Sequence, residues 1–438
     1  IGLGDYYDVT YSVLITVGNH TTSLVLDTGS SDLWIASNKC SDCQTDLTLY
    51  PQSSFDSAGI SIALTYGDSS TATHADGLVG KDAVDVAGIN ISNQYFAAIN
   101  STNSTVLGMG STGIFGLGFP LNSSRFFSDI YSVNTASQVL ASTSDPTLQI
   151  LVSFASIGPF LARLVVNGEL TSPVFVITLQ RDTIDVGGNI GQLSIGELPA
   201  GIDNSSFTWS KVRGYPSSQG GLSAPPDSPN EVYPITWELF VDSVYLDNEM
   251  LPTSNLSSNI SLSALLDTGN SLLRGPKDVV ADITKRLGGD TFLCSTPHTI
   301  SFEIGGTMFP VDPRDFISQA YTNGTTYCNA NIVATDSPVY GSGYLYSWSL
   351  GDPFLKSVMA AFYYGNITYP SKDPPRIGLI STVPSNVNDL YAEAVAEASS
   401  AGTFPQTTQS APTGTYTAQA TNSEGIPMAE SSNSASAS

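Results

Sequence analysis

Two aspartates stand in nearly the same local sequence. The first run reads Leu24-Val25-Leu26-Asp27-Thr28-Gly29-Ser30-Ser31; the second reads Ala264-Leu265-Leu266-Asp267-Thr268-Gly269-Asn270-Ser271. Each is an apolar strand that delivers a carboxylate, then a small hydroxyl residue, then a glycine. One such aspartate is an ordinary turn residue. Two in matching contexts imply a duplicated fold whose halves each bring one carboxylate to a shared site. Carboxylates held close together cannot both ionise, so one keeps a proton while the other is a base. That is the chemistry that activates a water. The glycine lets the chain turn sharply after Asp-Thr. Ser30 can donate to the outer oxygen of Asp27 and so favour its ionised form.

The elements that must hold these groups read as β structure. Tyr11 to Val17, Ser23 to Leu26, Ser61 to Tyr66 and Phe175 to Leu179 are short, rich in Val, Ile, Thr and aromatics, and bounded by turn residues. The 39 glycines and 25 prolines supply the turns. Lys277 to Leu287 repeats Val279, Val280, Ile283 and Leu287 at helical spacing. Ser137 to Leu151 fits neither period clearly. The duplication extends to Gly113-Ile114-Phe115-Gly116-Leu117-Gly118 and to Trp348-Ser349-Leu350-Gly351-Asp352. A glycine among bulky apolar residues marks a place where another backbone approaches closely. The expected architecture is all-β and bilobal, with lobes at 1–182 and 183–385. Residues 386–438 turn to Ser, Thr, Ala, Pro and Gln, and read as a disordered tail with a helical turn or two near Asn388 to Ser399.

Bulk composition narrows the function. The chain of 438 residues is long enough for two or three domains. It carries 39 acidic and 15 basic residues, a net charge of −24, so no basic stripe exists to meet nucleic acid. Such acidity suits an acid medium, where protonation relieves self-repulsion. The four cysteines suggest one local pair, Cys40 and Cys43, and one pair across a moderate loop, Cys294 and Cys328. The C-x-x-C string admits redox or zinc use, but it lacks a βαβ context and a second C-x-x-C, which favours structural disulfides. Sequons at Asn19, Asn90, Asn100, Asn103, Asn122, Asn204, Asn255, Asn259, Asn323 and Asn366 point to the secretory route. No uninterrupted apolar run has membrane-spanning length. The opening Ile1-Gly2-Leu3-Gly4 lacks an initiator Met, which suggests removal of upstream segments. His20, His74 and His298 are scattered without ligand spacing, so no metal and no cofactor are expected. No Gly-x-Ser-x-Gly elbow occurs.

With these runs in order, residues 5 to 382 resemble the pepsin-like aspartic proteases. The resemblance implies two six-stranded lobes related by a pseudo-two-fold axis, with the cleft between them. It implies that Asp27 and Asp267 are catalytic, one activating water and the other protonating the scissile carbonyl, without a covalent intermediate. Thr28 and Thr268 would cross-bond between the lobes, supported by Gly29 and Gly269. Asn270 replaces the usual Thr or Ser, and its amide is expected to keep the donor role toward Asp267. Ser31-Asp32-Leu33-Trp34 follows the first aspartate, Trp34 packing behind the flap tyrosine and offering its indole N–H. Tyr66-Gly67-Asp68 matches the flap, with Ser69 in place of a second glycine. Trp237 with Val241-Asp242-Ser243-Val244, then Leu272-Leu273-Arg274-Gly275-Pro276, Gly351-Asp352-Pro353-Phe354-Leu355 and Arg376-Ile377-Gly378-Leu379 match later family motifs. Asp352 reads as a structural acceptor. The resemblance also implies the pairings Cys40–Cys43 and Cys294–Cys328.

The resulting expectation is a secreted monomeric endopeptidase, active in acid, that takes a protein or peptide substrate. It should prefer bulky apolar residues around the cut and be blocked by pepstatin-type inhibitors. The competing reading is a pepsin-like protein that has lost catalysis and serves as a binding or inhibitor protein; both Asp-Thr-Gly runs and Tyr66 are intact, which disfavours it. Glycoside cleavage by two carboxylates needs a wider separation than this pairing implies. The Ser/Thr-rich end resembles the layout of wall- or membrane-anchored fungal members, which implies attachment through the tail.

Overall fold

A computed structural model describes residues 1–123, 145–180, 191–321, 324–340, 343–404 and 409–414. It is built mainly of strands, and the duplication read from the sequence is explicit in the pairing. In the first half, His20–Asp27 runs parallel to Gly113–Gly116, with Asp27 opposite Gly116. Gly113–Gly116 in turn runs antiparallel to Leu33–Ala36. In the second half, Ser263–Leu266 runs parallel to Trp348–Leu350, with Leu266 opposite Leu350. Trp348–Leu350 runs antiparallel to Leu273–Gly275. Each aspartate therefore leaves the end of a strand flanked in its sheet. Leu24 to Leu26 and Ala264 to Leu266 are buried, as the unbroken apolar runs require of strands covered on both faces.

The two glycines singled out in the repeat serve the same turn in each half. A side-chain carbon on Gly116 would collide with the Ser31–Asp32 backbone, and one on Gly351 with the Asn270 and Leu272 carbonyls. The loop carrying each aspartate thus crosses its partner strand at backbone contact, which fixes where the carboxylate emerges.

Three expectations need correction. The sheets exceed six strands: the first has eight, and the second joins ten. The boundary at 182 also cuts the second sheet. Val174–Thr178 pairs with Val358–Tyr363 and with Gln192–Ile195, so it lies with the strands of the second half. Position 182 itself falls outside the described residues. Its physical origin is a strand buried on both faces, whose unbroken apolar run carries no sign of which sheet it joins.

The tail is the third correction. Val387–Ala401 is a helix of 15 residues that buries Tyr391, Ala394 and Ala398. Tyr391 Oη donates to the Cys294 carbonyl at 2.7 Å. Farther on, Ser410 exchanges backbone hydrogen bonds with Asp5. The 386–438 segment is therefore structured at least through part of its length; 415–438 lies outside the described residues. Alanines on the buried stripe gave little apolar contrast, which is why composition alone read as disorder.

Helical spacing at Lys277–Leu287 is realised, with Val279, Val280, Ile283 and Leu287 buried and Gly288 closing the helix at φ 94°. The ambiguous stretch resolves into a helix over Pro146–Ile157, capped by Asp145; 137–144 lies outside the described residues. Both expected disulfides form, Cys40–Cys43 and Cys294–Cys328. The Cys40 and Cys43 sulfurs are thereby bonded to each other, which removes the zinc reading of that string. The halves are locked together by an aromatic cluster. Trp237 packs 4.2 Å from Phe119 between ring centroids, and Trp237 Nε1 and Tyr364 Oη both donate to the Leu117 carbonyl at 2.9 and 2.6 Å.

Candidate active site

The two Asp-Thr-Gly turns meet back to back. Thr28 N donates to Thr268 Oγ1 and Thr268 N to Thr28 Oγ1, each at 3.0 Å. Each hydroxyl then donates onward across the junction, Thr28 Oγ1 to the Leu266 carbonyl at 2.8 Å and Thr268 Oγ1 to the Leu26 carbonyl at 2.7 Å. Both threonines are buried, so this reciprocal set satisfies every donor and acceptor it uses. It ties the ends of the two aspartate-bearing strands to one another. The glycines then let the carboxyls converge. A side-chain carbon on Gly29 would strike the Asp267 carboxylate, and one on Gly269 would lie 2.7 Å from Asp27 Oδ1. The carboxyls of Asp27 and Asp267 thus face each other across the junction, and two buried carboxyls so close favour a single shared proton.

The two carboxyls differ in their surroundings. Asp27 is 5 % exposed and accepts from Gly29 N at 2.8 Å, Ser30 N at 3.2 Å and Ser30 Oγ at 2.5 Å. Asp267 accepts from Gly269 N at 2.9 Å. Burial raises both above the ordinary carboxylate range. At Asp27 the donors from Ser30 and Gly29 work against burial. At Asp267 the charge of Asp27 adds to burial, while the Gly269 N–H and Arg274 oppose it. The proton therefore resides preferentially on Asp267, and Asp27 is the readier base.

Asn270 departs from the expected role. Its Nδ2 donates to Ser349 Oγ at 3.0 Å, and its Oδ1 accepts from Leu272 N and Arg274 Nε at 3.2 and 3.1 Å. The amide is one atom longer than a hydroxyl side chain, and it reaches past the carboxyl to the next strand. The donor supplied by Ser30 in the first turn thus has no counterpart from residue 270.

The flap is the hairpin of Asp56–Tyr66 and Thr73–Val86, with Tyr66 opposite Thr73. Gly67 turns it at φ 83°, and a side-chain carbon there would approach the Thr71 carbonyl. Asp68 Oδ1 organises the tip by accepting from Ser70 N and Oγ and from Thr71 N and Oγ1 at 2.7–3.0 Å. Ser69, the residue in place of a second glycine, donates from N and Oγ to Asp336 at 2.9 and 2.7 Å. The tip therefore reaches the second half. Tyr66 lies over the dyad, with its hydroxyl held well above its usual range by burial and by the charges of Asp32 and Asp27, so it remains an O–H donor. Trp34 is buried, its ring centroid 6.5 Å from that of Tyr66. Its indole N–H acts on the Tyr66 hydroxyl as a donor would, opposing the effect of burial, though without ordinary hydrogen-bond geometry. The expected packing is present.

The cleft so formed is a cavity of ≈ 480 Å³ whose apolar lining includes Val25, Leu64, Ile114 and Leu265. Sequence reasoning missed several lining residues. Tyr346 is held above its usual range by burial and by Asp267, and Tyr344 stacks on it at 5.7 Å between centroids. Asn122, read as a sequon, turns inward: its Nδ2 donates to the Gly29 carbonyl at 2.9 Å and its Oδ1 accepts from Tyr344 Oη. A glycan on that nitrogen would stand at the cleft, a setting unlike that of the exposed sequons. Asn19, Asn90, Asn103, Asn204, Asn255 and Asn259 are exposed; Asn100 and Asn366 are partly so, and Asn323 lies outside the described residues. Asp352 was expected to accept hydrogen bonds, yet neither carboxyl oxygen has a partner among the described residues. Burial raises it well above the usual range, with Lys356 opposing.

Comparison with known proteins agrees with this geometry. A family model described as eukaryotic aspartyl protease matches residues 10–369. The chain is 24% identical over 389 residues to major aspartyl peptidase 1 of Cryptococcus neoformans var. grubii serotype A, covering 82% of this chain and 67% of that one. It is 26% identical over 396 residues to cathepsin E-A of Xenopus laevis, covering 87% and 81%. It is 27% identical over 383 residues to pepsin A of Rhinolophus ferrumequinum, covering 83% and 81%.

Proposed function

The chain belongs to the eukaryotic aspartyl protease family, and on that premise we propose that it is an endopeptidase whose lytic water is activated between Asp27 and Asp267. The observation that carries this reading is the pair of facing carboxyls at the threonine-locked junction. Ionised Asp27 removes a proton from water as its oxygen bonds to the scissile carbonyl carbon. Protonated Asp267 gives its proton to the carbonyl oxygen, forming a tetrahedral diol. The diol collapses as the C–N bond breaks: the departing nitrogen takes the proton from Asp27 while Asp267 recovers one from a diol hydroxyl, which leaves a carboxylic acid and an amine and restores the dyad. Tyr66 on the flap covers this centre and excludes water.

The pH window follows from the two carboxyls. Activity is lost on the acid side as Asp27 becomes protonated, and on the alkaline side as the shared proton leaves Asp267. Both are raised, Asp267 to about 8, so the window opens as Asp27 loses its proton and closes as the pH passes about 8. The apolar lining favours bulky apolar side chains flanking the cut. Disulfides in both halves suit an oxidising compartment, which supports passage through the secretory route, with the Ser/Thr/Ala-rich residues 415–438 as a stalk for surface attachment. The intact dyad favours catalysis over a purely binding role. The test is digestion of a mixed peptide library across pH, with and without pepstatin. Pepstatin-sensitive internal cleavage in acid is expected; its absence would favour the binding reading.

A further inference from the structure

Arg274 is the one cationic side chain lining the cleft among the described residues, where Asp27, Asp32, Asp68 and Asp267 also face it. It sits four residues past Asn270, on Leu273–Gly275, beside the strand carrying Ser349. Its Nε donates to Asn270 Oδ1 at 3.1 Å, and its Nη1 to Asp68 Oδ2 on the flap. Nη2 has no protein acceptor among the described residues. The guanidinium is about one-fifth exposed, at 21%. It is close enough to the dyad that its charge is felt at Asp267 and at Tyr346.

This is a half-used fork. A guanidinium presents a planar edge that matches a carboxylate through two parallel N–H···O bonds. Asp68 takes only one of them, because its other oxygen is committed to Ser70 and Thr71 at the flap tip. Asn270 fixes the orientation of Nε, the nitrogen on the side-chain stem, which leaves Nη2 as the donor without a protein partner among the described residues. The one cation lining the cleft among the described residues therefore keeps a donor unused.

We propose that Arg274 is a carboxylate-recognition point, selecting peptides that carry an Asp or Glu side chain at the subsite it lines, with the substrate carboxylate sharing or taking the place held by Asp68. The inference rests on the endopeptidase reading and adds a substrate class to it. Binding of such a side chain engages Nη2 and satisfies the fork. It also leaves Asp68 free of its cross-cleft partner, so an acidic substrate competes with the contact that holds the flap tip to the second half.

The test uses the full chain and peptide pairs that differ only in Glu against Gln, or Asp against Asn, scanned through the positions around one cleaved bond. One position should prefer the acid by about tenfold in kcat/KM, the scale of one charge-assisted hydrogen-bonded pair. That preference should grow as pH rises through the substrate carboxyl's own titration near about 4. Arg274→Gln should bring the acid-to-amide ratio to about one, and Asp68→Asn should raise it by removing the competitor. A ratio at or below one at every position in the parent protein, an unchanged ratio in Arg274→Gln, or an unchanged or smaller ratio in Asp68→Asn would overturn the proposal. Failure of the endopeptidase reading is seen separately, as no cleavage of the amide peptides by the parent protein.

Discussion

The two Asp-Thr-Gly turns share a backbone and differ in one side chain. Their threonines exchange matching bonds, and their glycines make way for each other's carboxyl. Past that point the symmetry ends. Ser30 gives Asp27 a hydroxyl donor at 2.5 Å, while Asn270 turns away to Ser349 and Arg274. The repeated part of the sequence thus builds the junction, and the divergent residue decides which carboxyl keeps the proton. A duplicated fold becomes an acid and a base through unequal donors, with no change in the framework.

The largest break in the comparison removes either carboxyl. Asp27→Asn and Asp267→Asn should each lower kcat/KM by about 10³- to 10⁴-fold, with near-native circular dichroism, since both chemical roles are needed. Next come the threonines. Thr28→Val and Thr268→Val each leave a buried N–H and carbonyl unpaired, and each should cost about 3 kcal/mol in denaturant unfolding. Near-equal losses would confirm the symmetric part of the site; one neutral variant would break it. Ser30→Ala tests the asymmetric part. Loss of a donor to ionised Asp27 raises its pKa, so the acid limb of the kcat/KM profile should move up by about one pH unit. The smallest effect is expected of Asn270→Ser, which restores a hydroxyl to the second turn. A donor to ionised Asp267 lowers its pKa, so the alkaline limb should move down by less than about one unit. Together these variants would make the turns alike from either side.

Much of this was legible in the sequence. Asp27 and Asp267 stood out because apolar strands buried on both faces leave an unbroken run before the carboxyl. Gly116 and Gly351 stood out because no other residue type suits a backbone crossing. Lys277–Leu287 showed its period through four apolar residues. The illegible parts share a cause: their partners come from distant segments. Nothing near Asn270 reveals that Ser349 takes its amide, and nothing near Asn122 reveals that Gly29 and Tyr344 turn it inward. The flap's reach to Asp336 and Arg274 is equally long-range. The helix Val387–Ala401 was expected only as a turn or two, because Ala394 and Ala398 bury little area and its docking depends on Tyr391 and the Cys294 carbonyl rather than on a visible apolar stripe.

The central claim is a single proton held between two carboxyls and resting on the second. Neutron diffraction from deuterated crystals grown near about pH 4.5 would locate it, because hydrogens escape ordinary X-ray maps. One deuteron on an Asp267 oxygen, facing an unprotonated Asp27 that accepts from Ser30, is the predicted result. A deuteron on Asp27 instead, or two carboxyls that do not face each other, would contradict it.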